Sequence, residues 1–508
     1  MFPKVVTLSH DQGTIAGLYS PIMKFAIQLV GFVALTAISA GCTPTPPEQQ
    51  FLSDALRAVG SRDRVAAVKT LVIEGEGVNY NLGQDMEPEA ATQSFAVTGY
   101  VRKIDVANGR QRVEQTRTPQ FAYFQGPQPQ TQIHAVDGDI AFNVNPAGEP
   151  SRVAAQTEQD RRTEWYHHPI TALHAATTPA TTVSNVRTVG TDVRQADFTS
   201  GDKRWTMTID AAGLPLSISS RTSHPNLGDV VVTTTFADYQ DINGIKLPAR
   251  LTGKVDEFTT WDINATRQAI DADLGNLAAP AGLGAKPASP APPTVTVQAL
   301  GKGVWLLSGQ SHHSALIEFA NHLMLIDAPQ SEARTLAVIA KAKEIVPNKS
   351  LNELVTTHHH FDHTAGLRAA VYSGLTVITH TGNKEWVEHM ARRPHTIQPD
   401  LLAKNVSRLN IETVDGEREF TDQSMTVVLY HVAGNPHSDT MLMAYLPRQR
   451  ILIQVDAFSP GTAIQPYAAN LLENIQKRKL RVDTIVPLHG AVAPMTELVK
   501  VTGGARTN

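Results

Sequence analysis

One decapeptide constrains this chain more than any other feature. Residues 357–366 read THHHFDHTAG and overlap the end of the strand-like stretch ELVTTHH, residues 353–359. Within it, His358, His360, Asp362 and His363 form the spacing HxHxDH. Alternate residues past a strand end point the same way, so His358 and His360 can reach one metal ion. Asp362 and His363 then enter a tight turn and can face a second. Four imidazole and carboxylate groups in six positions would repel and desolvate one another unless cations neutralise them. The alternative, a polar surface turn, requires no partners elsewhere. Three metal-competent side chains do lie downstream in matching contexts: His437 in AGNPHSDT after a strand, Asp456 ending ILIQVDAF, and His489 ending TIVPLHG. Each sits at the C-terminal end of a predicted strand, where α/β folds place their sites.

Composition narrows the chemistry. Thirteen of the 19 histidines follow residue 294, which places the chemistry in the second half. The single cysteine, Cys42, excludes an internal disulfide framework and any zinc site built on several thiolates. A net charge of -4, from 44 basic and 48 acidic residues, argues against a nucleic-acid binder. A length of 508 residues exceeds what one core serves, so two or three domains are expected.

Residues 25–41, FAIQLVGFVALTAISAG, are uncharged and apolar behind Lys24, and end in small residues leading into Cys42. The run is short for a membrane span and has the signal-peptide pattern. It resembles a bacterial lipoprotein signal, with Ser39 where a large aliphatic residue is usual three positions before the cysteine. That resemblance implies that Cys42 becomes the lipidated first residue of an exported chain on the periplasmic face of a membrane. A cleaved secretory signal with an incidental cysteine, or a single anchoring helix, are the alternatives. Residues 1–22 precede a second start-like pair, Met23-Lys24, and read as part of an overlong gene start.

The Ala/Pro/Gly-rich stretch APAGLGAKPASPAPP marks a linker over 277–294. Ahead of it, 50–276 opens with a helical stretch, FLSDALRAVG. Thr/Val-rich, alternating runs follow, from KTLVIEGEG to KLPARLTGKV, and Asn243-Gly244 marks a hairpin turn. These features predict a mainly antiparallel β domain. Its layout resembles periplasmic lipoprotein-carrier-like domains, which implies a curved sheet around an apolar groove; a plain spacer is the other reading. His167, His168 and His174 have no carboxylate cluster beside them and read as structural. In 295–508, buried strands alternate with amphipathic helices, the pattern of a layered α/β fold.

The order of His358, His360, Asp362, His363, His437, Asp456 and His489 resembles that of the metallo-β-lactamase fold superfamily. The resemblance covers about 295–508. It implies a four-layer αββα sandwich with a dinuclear site in the cleft between its sheets. His358, His360 and His437 would then hold one zinc, Asp362, His363 and His489 the other, and Asp456 would bridge them. Asp327, ending HLMLIDAP, would support the metal loop without ligating. All these donors are nitrogen or oxygen, which suits zinc and tolerates manganese or iron. Two such cations hold a bridging water and lower its pKa towards ~7, giving a hydroxide that attacks a carbonyl or phosphoryl centre. Asp362 would orient that nucleophile, and no serine, cysteine or lysine nucleophile is needed.

Single residues separate the branches of the superfamily. Its di-iron flavoproteins commonly carry Glu at the position of His360. Its β-lactamases use cysteine, or no ligand, at the position of Asp456. Aspartate there is the pattern of glyoxalase II-like thioesterases, lactonases and phosphodiesterases, although those usually place Gly where this chain has Val455. The leading expectation is an exported dinuclear zinc hydrolase acting on a small ester, amide, lactone or thioester. A β-lactam hydrolase and an apolar-ligand-binding lipoprotein with a vestigial metal domain are the alternatives. His359 should point away from the metals. His312 and His313 lie in a loop where this fold presents substrate-facing residues, or form a plain surface turn. Trp386 and Met390 share a helix face and read as core.

Overall fold

A computed structural model describes residues 45–503, apart from 89, 91, 122–128, 284–285, 288, 290 and 463–464. Cys42 and the signal-like segment lie outside the described residues. No helix among those residues is long and apolar enough to cross a membrane.

The Thr/Val-rich runs of the first half form a single 13-stranded antiparallel sheet. Its middle joins distant parts of the sequence, because Thr70–Tyr80 lies between Ser94–Asp105 and Phe258–Ile270. The strands Gly228–Ile242 and Ile245–Val255 meet in the expected hairpin, with Asn243 at φ 54° and Gly244 at φ 80°. Both values are positive, as a two-residue turn between right-twisted strands requires. The Asp241 carboxylate accepts the Gly244 N–H at 2.7 Å and fixes this turn. Helix Pro47–Val59 repeats Phe51, Leu52, Ala55, Leu56 and Val59 along one face, which packs with Leu71, Ile73, Phe198 and Trp205 of the sheet. His167 and His168 are buried here as structural residues, His167 bonding Thr234 and Ser220. The described residues of this half do enclose a cavity, and its lining mixes polar and apolar side chains, Val113, Ala135, Val136 and Ile263 among the latter. This cavity of ≈ 260 Å³ is also lined by Asn79, Arg102, Gln111, Gln115, His134, Arg161 and Glu164 beside Tyr100 and Trp261.

The described residues of 271–295 carry neither strand nor helix. The second half is then built of a seven-stranded and a six-stranded sheet. Alternation sorts its side chains. Leu306, Ile317, Met324 and Ile326 of the first sheet enter one core with Val427, Leu429, Met443 and Ile453 of the second. Their neighbours Leu307, Leu316, Leu323 and Leu325 face outward and are covered by helices Glu332–Ile345, Leu367–Tyr372 and Lys384–Arg392. Trp386 and Met390 lie in that outer core. Helices Ala468–Lys477 and Met495–Val501 add Leu471, Ile475 and Leu498 to the core of the six-stranded sheet. This is a four-layer αββα arrangement.

The two halves pack into one body. Leu227 and Val230 of the first half enter the helix-side core of the second. Asp229, 1 % exposed at its side chain, accepts the N–H groups of Thr396 and Ile397. Arg393 pairs with Asp256 and donates to the Leu227 carbonyl.

Candidate metal centre

Loops at strand ends deliver the donors. Strand Ser350–Val355 ends earlier than ELVTTHH suggests, because the Thr357 N–H turns to the Asp327 carboxylate (2.8 Å) instead of a neighbouring strand. Thr356 and Thr357 then lead into His358, and Phe361–Thr364 makes one short helical turn. Asp456 follows strand Ile451–Gln454 at φ 52°, a left-handed conformation that aspartate tolerates better than most residues. The side chain of Gln454, 1 % exposed, pins this turn. It donates to the Phe458 carbonyl at 2.6 Å and accepts the N–H groups of Ala457 and Phe458, both at 3.2 Å. His437 is aimed by Asn435, whose side-chain oxygen accepts the His437 N–H at 2.9 Å.

These elements bring six of the seven expected ligands together. Potential ligand atoms of His358, His360, His437 and Asp456 lie within 4.8 Å of one another, and so do those of His312, Asp362 and His363. Asp456 joins the two groups. Its Oδ2 lies 3.1 Å from His437 Nε2, 3.5 Å from His358 Nε2 and 3.0 Å from His363 Nε2. His489 stands beside this cluster: its ring is 4.1 Å from that of His312 and 6.5 Å from that of His363. His312 comes between them because the His313 N–H bonds the Leu488 carbonyl (2.8 Å), which draws the 311–313 loop onto the His489 segment. His312 Nε2 then reaches Asp362 Oδ2 at 3.0 Å. His489 still lines the same cavity as Asp362, His437 and Asp456.

Hydrogen bonds from outside fix which nitrogen each imidazole presents. Asp327, fully buried at φ 61°, accepts the Thr357 hydroxyl at 2.8 Å and His363 Nδ1 at 3.0 Å. The Thr357 oxygen, its proton committed to Asp327, accepts His358 Nδ1 at 3.3 Å. His358 and His363 therefore both turn Nε2 to the cluster. His360 is reversed, because its Nε2 donates to the Asp85 carbonyl at 2.8 Å and Nδ1 faces inward. His359 points the other way, with Nδ1 3.4 Å from the Thr440 hydroxyl and its ring edge-on to Trp386.

Burial holds the imidazoles of His358 and His360 well below the usual histidine range, and the neighbouring imidazoles add to it. Their lone pairs stay available. His363 goes the other way: burial disfavours its cation, but Asp456, Asp362 and Asp327 outweigh that and raise it well above its usual value. Burial would raise Asp456 and Asp362, yet His363 holds both below the usual carboxylate range, with help from His437 and His312 respectively.

A metal fits this donor set on an observation independent of the motif. His358 Nε2 and His360 Nδ1 are buried without a hydrogen-bond partner among the described residues. A buried polar atom left unpaired costs about 1–3 kcal/mol, which a cation at that point removes. The sequence reading left out Gln454 and Asn435, which aim ligands, and the 84–85 segment, which touches them. The Asn-x-His spacing in AGNPHSDT is a turn signal that could have flagged Asn435.

The family model described as the metallo-beta-lactamase superfamily matches residues 307–489. Solved structures similar to this chain include a metallo-beta-lactamase from Pontibacter korlensis, at 18% identity over 42% of this chain and 100% of that one, with a TM-score of 0.33. One from Hirschia baltica has 17% identity over 41% and 96%, with a TM-score of 0.34. FIM-1 from Pseudomonas aeruginosa, in a mono-zinc form, has 16% identity over 41% and 93%, with a TM-score of 0.33. No curated protein matches the chain. The family match and the His/Asp cluster within it together support a metallo-hydrolase domain across residues 307–489.

Proposed function

We propose that this chain is a dinuclear zinc-dependent hydrolase of a small ester, amide, lactone or thioester. The observation that carries the reading is the position of Asp456 Oδ2, within 3.0–3.5 Å of imidazoles from both ligand groups. His358, His360 and His437 would hold one ion, Asp362, His363 and His489 the other, with Asp456 shared. Two divalent ions supply Lewis acidity towards a substrate oxygen and lower the pKa of water towards ~7. The chain's own groups do the rest. Asp362 stays ionised at neutral pH, so it orients an attacking water by accepting its hydrogen bond and is a poor store for the proton. His312, with Nε2 3.0 Å from Asp362 Oδ2, helps to hold that carboxylate in place. The adjoining cavity of ≈ 510 Å³ mixes Leu82, Phe121, Phe361 and Tyr467 with Gln84, Gln93 and Arg117, which suits a small acyl compound with apolar and polar parts.

Metal analysis of the purified protein should find two zinc ions per chain, and Asp456→Asn should lose at least one. A panel of thioester, lactone, ester and amide substrates should show turnover that a chelator abolishes. Less than one bound ion, or no turnover of any member, would overturn the proposal. Turnover of nitrocefin alone would move the substrate to β-lactams. Export with lipid attachment at Cys42 belongs to the same proposal; radiolabelled palmitate should enter the chain in cells and be absent from Cys42→Ser.

A further inference from the structure

Resting on that reading, we propose that the 81–86 loop of the first half is a working part of the metal centre, setting the ligating atom of His360 and the orientation of Asp362. The loop connects strands Thr70–Tyr80 and Ser94–Asp105, far from the metal motif in sequence. Its bonds go to the ligand segment. The Asp85 carbonyl takes His360 Nε2 at 2.8 Å. A carbonyl only accepts, so the His360 proton sits on Nε2, and Nδ1 presents a bare lone pair to the cluster. Gln84 Nε2 donates to Asp362 Oδ1 at 2.8 Å, while His312 holds Oδ2. One donor from each half thus sets the plane of this carboxylate.

Further bonds lock the loop in place. The Phe361 N–H, between the two ligand residues, donates to the Gly83 carbonyl at 3.2 Å. The Asp439 N–H, two residues past His437, donates to the Met86 carbonyl at 2.8 Å. Gly83 has φ +80°, and a Cβ there would lie 2.2 Å from the Phe361 ring, so this close approach requires glycine. A mere spacer needs neither donors on metal ligands nor a backbone carbonyl on a ligand imidazole. Outer partners of this kind typically change metal affinity by about 10- to 100-fold when removed.

The test uses the full chain with Gln84→Glu, Gln84→Ala, Gly83→Ala and, as a control, the exposed Glu87→Ala. Glutamate fills the space of glutamine but cannot donate to Asp362. Zinc affinity is read by competition with a chromogenic chelator, and ligand geometry by the visible spectrum of the cobalt-substituted protein. Expected are about 10- to 100-fold weaker binding of one ion and an altered cobalt spectrum in both Gln84 variants. Gly83→Ala, which displaces both contacts, should affect both ions, and Glu87→Ala should behave as wild type. Melting of the metal-free protein separates these effects from misfolding, and the Gln84 variants decide if Gly83→Ala does not fold. Wild-type affinities and spectra in both Gln84 variants would overturn the role of the loop while leaving the hydrolase reading intact. A wild-type chain without metal would instead overturn the hydrolase reading itself.

Discussion

Asp327→Asn tests the logic of the centre without touching a ligand. The fully buried Asp327 carboxylate serves three donors: Oδ1 takes the Thr357 N–H, and Oδ2 takes the Thr357 hydroxyl and His363 Nδ1. An asparagine keeps the shape but offers one acceptor and one NH₂ group. If its oxygen replaces Oδ1, the NH₂ faces two donors, and the proton positions on both His358 and His363 lose their anchor. If its oxygen replaces Oδ2, the NH₂ faces the Thr357 N–H and the start of the ligand loop is pushed away. Either way at least one buried hydrogen bond to a charged group is lost, costing about 1.5–3 kcal/mol of stability. Removing the charge behind the two imidazoles should weaken zinc by about 10- to 100-fold, equivalent to about 1.4–2.7 kcal/mol. Chelator competition measures the second effect, and melting of the metal-free protein the first. Asp327→Asn holding both ions at wild-type affinity would refute the reasoning that outer hydrogen bonds set the ligand atoms.

Three other outcomes are expected. In the metal-free protein three carboxylates raise His363 well above its usual value, so zinc must displace its second proton; affinity should fall as pH is lowered from the alkaline side through neutrality. A pH-independent affinity in chelator competition would contradict that. In the β-rich half, burial pushes His167 down to about 3 from 6.5, so the unfolded chain binds the extra proton between these values. Stability is then full above about pH 6.5 and lost as pH falls towards about 3, on the order of 2–3 kcal/mol by ~pH 4.5; His167→Gln should flatten this acid slope in thermal melts. Finally, His489→Ala should cost one ion per chain while His312→Ala keeps both and slows turnover. The reverse pattern in metal analysis would make His312 the ligand.

What could be read from the sequence follows from how local each signal is. HxHxDH declares itself because residue type and spacing act within one strand end and turn, and Asp456 and His437 because each follows an apolar strand. Strand Thr181–Thr188 is faint in sequence: none of its residues is fully buried, so it lacks the apolar alternation that marks a strand. His312 was ambiguous because its neighbour is decided by the contact of its loop with Leu488, over 170 residues away in sequence. The 81–86 loop was unreadable for a stronger reason: its contribution to His360 is a backbone carbonyl, which every residue possesses. The ligands of this centre are therefore local in sequence, but the groups that choose between their two nitrogens are not. His358 and His363 depend on Asp327, which follows an early strand of the same half, whereas His360 depends on the other half of the molecule. The contacts that join the halves, Asp229 with Thr396 and Arg393 with Asp256, thereby bear on the metal site itself. If the donor to Asp362 and the acceptor for His360 both come from the β-rich half, loosening that interface should weaken metal binding before it exposes the core of either sheet.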